Sequence, residues 1–322
     1  MKLGLDARHK LDDELLTFGR QVGATHVIAG APIMPSDKGY YHFFDLLRLR
    51  KRVEDAGMVL WAIENVPFHF YDKVIYGLPG RDEQIENWCK TLRNMGKAGI
   101  PVLGYHFMAV FLFRTSESIV GRGGALVTGF DYDLVKDAPV AETGEITEEQ
   151  LWDNLTYFLK AVIPVAEQAG VRMALHPDDP PISPIAGVAR IMRSHAALKR
   201  LTEIVPSPSN ALNFCQGTVS EMPENVLDAI RYFGQRKKIF YVHFRNTTGP
   251  VPSFAETFID NGFVDMLQAM RAYAESGFEG YLIDDHTPGV VNDAPWGFRG
   301  RAYSIGYMKA LIKAVQFYEG RK

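Results

Sequence analysis

Four residues of this 322-residue chain stand where a short apolar run stops, and each is of a type that binds divalent cations. Met173-Ala174-Leu175 runs into His176, and Leu212-Asn213-Phe214 runs into Cys215. The run from Ile239 to Phe244 contains His243, and Tyr281-Leu282-Ile283 runs into Asp284 and Asp285. Two imidazoles, one thiolate and one carboxylate (Asp285) supply the charge and donor number of a transition-metal site with positions open for water or substrate. Zinc, iron and manganese all suit that set on chemistry alone. A single histidine or cysteine at a strand end is more often packed or hydrogen-bonded than metal-bound. Four on successive strands are hard to explain by packing.

Groups suited to a sugar-like anion stand beside these four. They are Arg8 after the first strand, Glu64 at the end of the third, His106 at the end of the fourth, and Arg245, Asn246 and His286 next to the ligand types. Arginine grips a carboxylate through a planar fork. Arg245 also has a structural reading as the ion-pair partner of Asp178 or Asp179, the latter itself a candidate substrate contact. Glu64 is read either as an acceptor for a sugar hydroxyl or as a partner for Arg8. Cys89 lies in a helical run and reads as structural, and His26, His42, His69 and His195 are given no role.

Such residues meet only if the chain brings successive strand ends together. Eight short apolar, β-branched runs alternate with segments of helical period: Lys2–Leu5, His26–Ala29, Val59–Glu64, Val102–Phe107, Arg172–His176, Ala211–Phe214, Ile239–Phe244 and Tyr281–Asp284 are the strands. The helices expected after them are Asp12–Val22, Tyr41–Ala56, Arg81–Ala98, Glu148–Ala169, Val188–Ile204, Glu224–Phe233, Phe263–Ser276 and Ala302–Tyr318. Thr147-Glu148-Glu149-Gln150 reads as a capping box, and Gly57, Gly170 and Gly277 as left-handed helix ends. Strict alternation implies parallel strands joined by right-handed crossovers. A doubly wound open sheet would carry a glycine-rich turn after its first strand, where this chain has Asp6-Ala7-Arg8-His9. A single (β/α)₈ TIM barrel over residues 1–322 is therefore expected, with its active site at the C-terminal strand ends. The stretch from Ser116 to Gly144 lacks helical period and is expected to be an irregular βα loop over the mouth, of the kind that forms lids.

The bulk properties agree with a globular enzyme. The hydrophobic fraction is 47%, charged residues make up 23%, and the formal net charge is −3. With lysine and arginine scattered, nucleic acid is not an expected partner. The N-terminus has no apolar leader and no run reaches the length of a membrane span, so a cytoplasmic protein with no membrane partner is expected. Its two cysteines make no disulfide framework. A homo-oligomer is the base expectation for such barrels.

Specific words sharpen this reading: Leu151-Trp152-Asp153-Asn154-Leu155, Ile163-Pro164-Val165-Ala166-Glu167 and Ala174-Leu175-His176-Pro177-Asp178-Asp179-Pro180-Pro181. With Tyr105-His106-Phe107-Met108, Val110-Phe111, Ser207-Pro208-Ser209-Asn210, Cys215-Gln216-Gly217, His243-Phe244-Arg245-Asn246 and Asp285-His286, they resemble the mannonate dehydratase family from about Glu64 onward. The resemblance implies a barrel enzyme that uses Mn2+ or Fe2+ to convert D-mannonate to 2-keto-3-deoxygluconate. It places the metal ligands at His176, Cys215, His243 and Asp285, a catalytic role at His286, and substrate contact and catalysis at Arg245. Two departures bear on the substrate more than on the metal. Where the family has Tyr-Asp-Arg-Ala, with a tyrosine that assists catalysis, this chain has Arg299-Gly300-Arg301-Ala302, so Arg299 becomes an extra anion contact. His106 stands where the family has asparagine. A metal-dependent sugar isomerase or epimerase on the same barrel is the alternative reading, and a noncatalytic sugar-binding barrel ranks last.

Overall fold

The computed structural model describes residues 1–111, 114–318 and 320. Eight parallel strands close on themselves: β1 (Lys2–Ala7), β2 (His26–Gly30), β3 (Val59–Glu64), β4 (Val102–Tyr105), β5 (Arg172–Leu175), β6 (Asn210–Cys215), β7 (Ile239–His243) and β8 (Tyr281–Ile283). Closure comes from Lys2 pairing with Tyr281 and Leu3 with Leu282. The resulting (β/α)₈ barrel is the expected architecture. The strands are buried on both faces along nearly their whole length, because helices cover one side and the packed barrel interior the other. Ile28, Ala62, Val102, Ala174, Ala211, Tyr241 and Ile283 belong to the cluster filling the interior. Gly104 leaves room for Tyr241, whose hydroxyl stands where a Cβ at that position would collide.

The helices start and stop where local chemistry dictates. Thr147 and Gln150 form the capping box reciprocally ahead of Glu148–Ala169. Gly57, Gly170 and Gly277 all adopt positive φ, which spares a side chain the left-handed penalty. Two expected helix starts move by a full turn or more. The helix expected from Val188 begins at His195, because the Ser194 side chain caps it and residues 188–193 are committed elsewhere. Met192 donates its N–H to Asp178, and the Arg190 guanidinium binds the carbonyls of Asp179 and Val110. The last helix begins at Phe298 rather than Ala302, since the Asp293 carboxylate accepts the N–H groups of Arg299 and Gly300. Residues 299–301, expected to lie in the loop before this helix, thus belong to its first turn.

The stretch expected to be an irregular lid is ordered differently. Ser116–Val120 and Leu126–Asp131 pair as antiparallel strands, and Ser253–Ala255, from the loop after β7, adds a third. Leu126 also bridges Gly289 in the loop after β8. Three βα loops are therefore joined by main-chain hydrogen bonds into one cap over the C-terminal mouth. No helix among the described residues is long and apolar enough to cross a membrane.

Candidate metal centre

The ends of β5, β6 and β7 bring one ligand atom each from His176, Cys215 and His243 within 4.8 Å of one another. Each ring is held by its far nitrogen. His176 Nδ1 lies 2.6 Å from the Pro177 carbonyl, an acceptor only, so Nδ1 carries the proton and Nε2 is left for the cluster. His243 is held the opposite way round, with Nε2 3.0 Å from Glu64 Oε2. Its Nδ1 is buried without a hydrogen-bond partner. A buried ring nitrogen left unpaired beside a thiol, with its tautomer fixed by a carboxylate, is the arrangement a metal-binding histidine requires. Burial opposes ionisation of Cys215, but Arg245 and His176 outweigh it and hold the thiol well below its ordinary range.

Asp285, the fourth expected ligand, stands beside this cluster just after β8. Its Oδ1 lies 3.4 Å from His243 Nδ1 and its Oδ2 4.0 Å from Cys215 Sγ. The residue sits at φ 55°, a left-handed conformation that is uncommon outside glycine and that turns the carboxylate into the barrel mouth. Arg8 fixes it, with Nη2 2.5 Å from Oδ1, while Arg8 Nη1 binds Glu64 at 2.8 Å and Nε binds Asp6 at 2.9 Å. Glu64 therefore serves Arg8, His243 and the Tyr241 hydroxyl together. Burial alone would raise its pKa, but Arg8 and His243 bring it down to about 2.

Above this floor lies a cavity of about 890 Å³, walled by strand ends and roofed by the cap. Arg8, Glu64, His106, His176, Asp179, Asp285 and His286 all reach it. His286 Nδ1 is 2.9 Å from Glu256 Oε1, and its Nε2 is 3.9 Å from Asp285 Oδ2. His106 lies under the Tyr71 hydroxyl and edge-on to Phe111.

Three expected substrate contacts lie elsewhere. Arg245 is 1% exposed, behind the wall. It binds Asp179 at 2.6 Å, Glu221 at 2.9 Å and Thr218 at 3.0 Å, so the ion-pair reading with Asp179 describes its position. Asn246 spends its amide on the Ile259 and Val264 carbonyls and the Thr247 and Val264 N–H groups, which shape the loop after β7. Arg299 points outward to the Val291 carbonyl, because its residue has become part of the last helix. Arg301 reaches the wall instead, between Asp6 and Asp284. Tyr303 packs against Phe258, away from the cavity floor.

Two residues of the site carry no sequence signal. Arg114 and Glu256 come from aperiodic loops after β4 and β7 and form an ion pair inside the cap, with Arg114 also 2.6 Å from Asp179. Burial and the Asp179 charge push Glu221 well above the carboxylate range. The cluster thus sets two guanidiniums, Arg114 and Arg245, against the Asp179 and Glu256 carboxylates. Gly217 is needed here, since a Cβ would collide with the Arg245 side chain.

Comparison with known proteins agrees along the whole chain. The family model for D-mannonate dehydratase (UxuA) matches residues 9–143 and 140–322. The mannonate dehydratase of Thermotoga maritima is 33% identical, with 95% of each chain covered. The crystal structure of mannonate dehydratase from Streptococcus suis serotype 2 superposes with a TM-score of 0.90 at 31% identity, covering 100% of this chain and 95% of that one. An L-ribulose 3-epimerase structure matches at TM-score 0.64 but only 14% identity, over 99% of this chain and 97% of that one, which is likeness of fold alone. The isomerase alternative has only that shared barrel behind it. The chain belongs to the mannonate dehydratase family and is a hydro-lyase.

Proposed function

We propose that the protein removes water from D-mannonate to give 2-keto-3-deoxy-D-gluconate. The observation that carries this reading is the convergence of His176, Cys215 and His243 at the floor of a cavity that His286 also faces. Manganese or ferrous ion fits the donors, and His176, Cys215, His243 and Asp285 would hold it. When bound, it supplies Lewis-acid stabilisation of the negative charge that develops beside the substrate carboxylate. The wall itself supports a cation. Seven carboxylates (Asp6, Glu64, Glu117, Asp179, Glu256, Asp285 and Asp293) line the cavity against three arginines, an unfavourable field for an aldonate.

The chain's own residues do the rest. His286 Nε2, directed at the space beside Asp285, takes the proton from C2 of the sugar acid. The C–H electron pair forms the C2–C3 double bond as the C3–O bond breaks, and His286 gives the proton it took to the departing hydroxyl, so that one water leaves. The enol then becomes the 2-keto product. Arg8, Glu64, His106 and Asp179 flank the substrate, and Arg245 supports Asp179 and Asp285 from behind. The cap keeps bulk water from the reacting carbons.

The test is incubation of manganese-loaded protein with D-mannonate and a panel of other aldonates, assaying 2-keto-3-deoxy products with ketoses and epimers in parallel. The expected product is the keto-deoxy acid from D-mannonate; its absence from every aldonate sinks the reading. Elemental analysis of His176→Ala and Cys215→Ala should show metal lost, and undiminished metal in both removes the proposed centre.

A further inference from the structure

Glu256 lies outside the barrel, directly after the cap strand Ser253–Ala255, yet its carboxylate meets three nitrogen donors at the edge of the cavity. Arg114 pairs with Oε1, Arg245 Nη1 lies 3.2 Å from Oε2, and His286 Nδ1 lies 2.9 Å from Oε1. The side chain is held from the cap as well. Its main-chain N–H donates to the Thr128 carbonyl at 2.8 Å, and the preceding Phe254 packs on Phe130 and beneath the Arg114 guanidinium. The residue is 5% exposed, which leaves the carboxylate little solvent with which to satisfy itself.

The hydrogen-bond roles follow from donor inventory. Arginine donates and never accepts, and a carboxylate facing two guanidiniums is an acceptor only. The imidazole nitrogen facing that same oxygen must then be the protonated one. In the neutral ring His286 Nδ1 therefore carries the hydrogen, and Nε2 keeps the lone pair on the side facing Asp285 and the cavity. A free imidazole has no such constraint and places its proton on either nitrogen.

We propose that Glu256 is the positioning residue of His286: it fixes the ring in the Nδ1–H tautomer with Nε2 aimed at the substrate, so that the cap delivers the reactive geometry as well as covering the site. This inference rests on the assignment of His286 as the group that takes the proton. It gives the cap sheet a second task, because the register that pairs Phe254 with Phe130 and Ala255 with Gly129 sets where the carboxylate stands.

The experiment uses Glu256→Gln, Glu256→Ala and His286→Gln in the full-length, manganese-loaded enzyme, with metal content and melting temperature checked for each. Glutamine keeps the volume but must present an N–H₂ to one of three donor groups, so it disturbs the ring without emptying the space. Turnover in Glu256→Gln is expected to fall by roughly ten- to a hundredfold, as for loss of a residue that orients a reactive histidine, with KM within about threefold of wild type. Zinc-loaded, 15N-labelled protein supplies an independent readout. Long-range 1H–15N spectra, with His286 assigned by its loss in His286→Gln, should show Nδ1–H in the wild type and a shift toward Nε2–H in Glu256→Gln. If Glu256→Ala does not fold, the glutamine variant decides. Wild-type turnover in Glu256→Gln, or an unchanged His286 tautomer, overturns the inference. Retained turnover in His286→Gln overturns the His286 assignment instead, while an inactive His286→Gln beside a fully active Glu256→Gln removes the role of Glu256 alone.

Discussion

Replacing Glu64 by glutamine perturbs the metal centre without touching a proposed ligand. The Glu64 carboxylate accepts from Arg8 Nη1 at 2.8 Å, the Tyr241 hydroxyl at 2.9 Å and His243 Nε2 at 3.0 Å. Glutamine has one acceptor oxygen for these three donors. If that oxygen stays with Arg8, the amide N–H₂ faces His243 Nε2, and the ring relaxes by moving its proton to Nδ1. An N–H then points at Cys215 and Asp285 where a lone pair stood. If the amide turns over, the N–H₂ meets a buried guanidinium that cannot give up a proton. Either way the cost falls on the site. Loss of such an orienting partner lowers metal affinity about 10- to 100-fold, or roughly 1.4–2.7 kcal/mol. Chelator competition with Mn2+, read by elemental analysis after equilibrium dialysis, measures it, with His176→Ala as the reference for a lost ligand. Affinity within about threefold of wild type in Glu64→Gln, beside a clear loss in His176→Ala, would refute the claim that Glu64 sets the His243 ring.

Three further perturbations follow from the same geometry. A Cβ at Gly104 would collide with the Tyr241 hydroxyl and stand 2.9 Å from Glu64 Cγ, so Gly104→Ala should cost about 1–3 kcal/mol by overpacking and weaken metal binding as well; calorimetry and metal content read the two effects, and unchanged values for both would contradict it. Asp293→Ala removes the acceptor for the first N–H groups of the last helix and should cost about 1 kcal/mol, a melting-temperature fall of a few degrees with metal retained; an unmoved transition would show the helix start does not depend on it. Burial of His26 among Trp61 and Tyr281, with Lys2 nearby, lowers its pKa from 6.5 to about 4. Below 6.5 the unfolded chain binds the proton more readily, so the stability contributed by neutral His26 is present above that pH and lost as pH falls toward 4. Melting curves of His26→Gln should therefore lose less between neutral pH and about pH 5, by at most about 2 kcal/mol, and an identical acid slope would show that another group governs it.

What the sequence revealed and what it hid divide along a physical line. Strand-end residues were legible because a barrel turns sequential position into spatial position: the residue where each apolar run stops must face the mouth. His176, Cys215, His243, Asp285 and His286 all stand there. Glu256 and Arg114 were hidden because loop residues obey no period, and their partners lie 30 and 65 residues away, at His286 and Asp179. Arg245 was legible as an arginine at the mouth but not as one turned backward, since that depends on Gly217 leaving space and on Glu221 and Asp179 facing it. Arg299 was misplaced by a single carboxylate, Asp293, that extends the helix by a turn.

The cap also sets an order of assembly. Leu126–Asp131 pairs locally with Ser116–Val120 but meets Ser253–Ala255 and Gly289 only once those later segments exist, and β1 finds its second partner only at β8. During synthesis, strands β1 to β6 can emerge and collapse while the mouth has only the hairpin of Ser116–Val120 and Leu126–Asp131 near it, because the pairings that tie this hairpin to the loops after β7 and β8 await the final quarter of the chain. A nascent or truncated chain thus exposes its thiol and imidazoles before the cap is joined across the mouth. Long-range closure of this kind is slow relative to local helix formation. The cavity is accordingly among the last features of the molecule to exist.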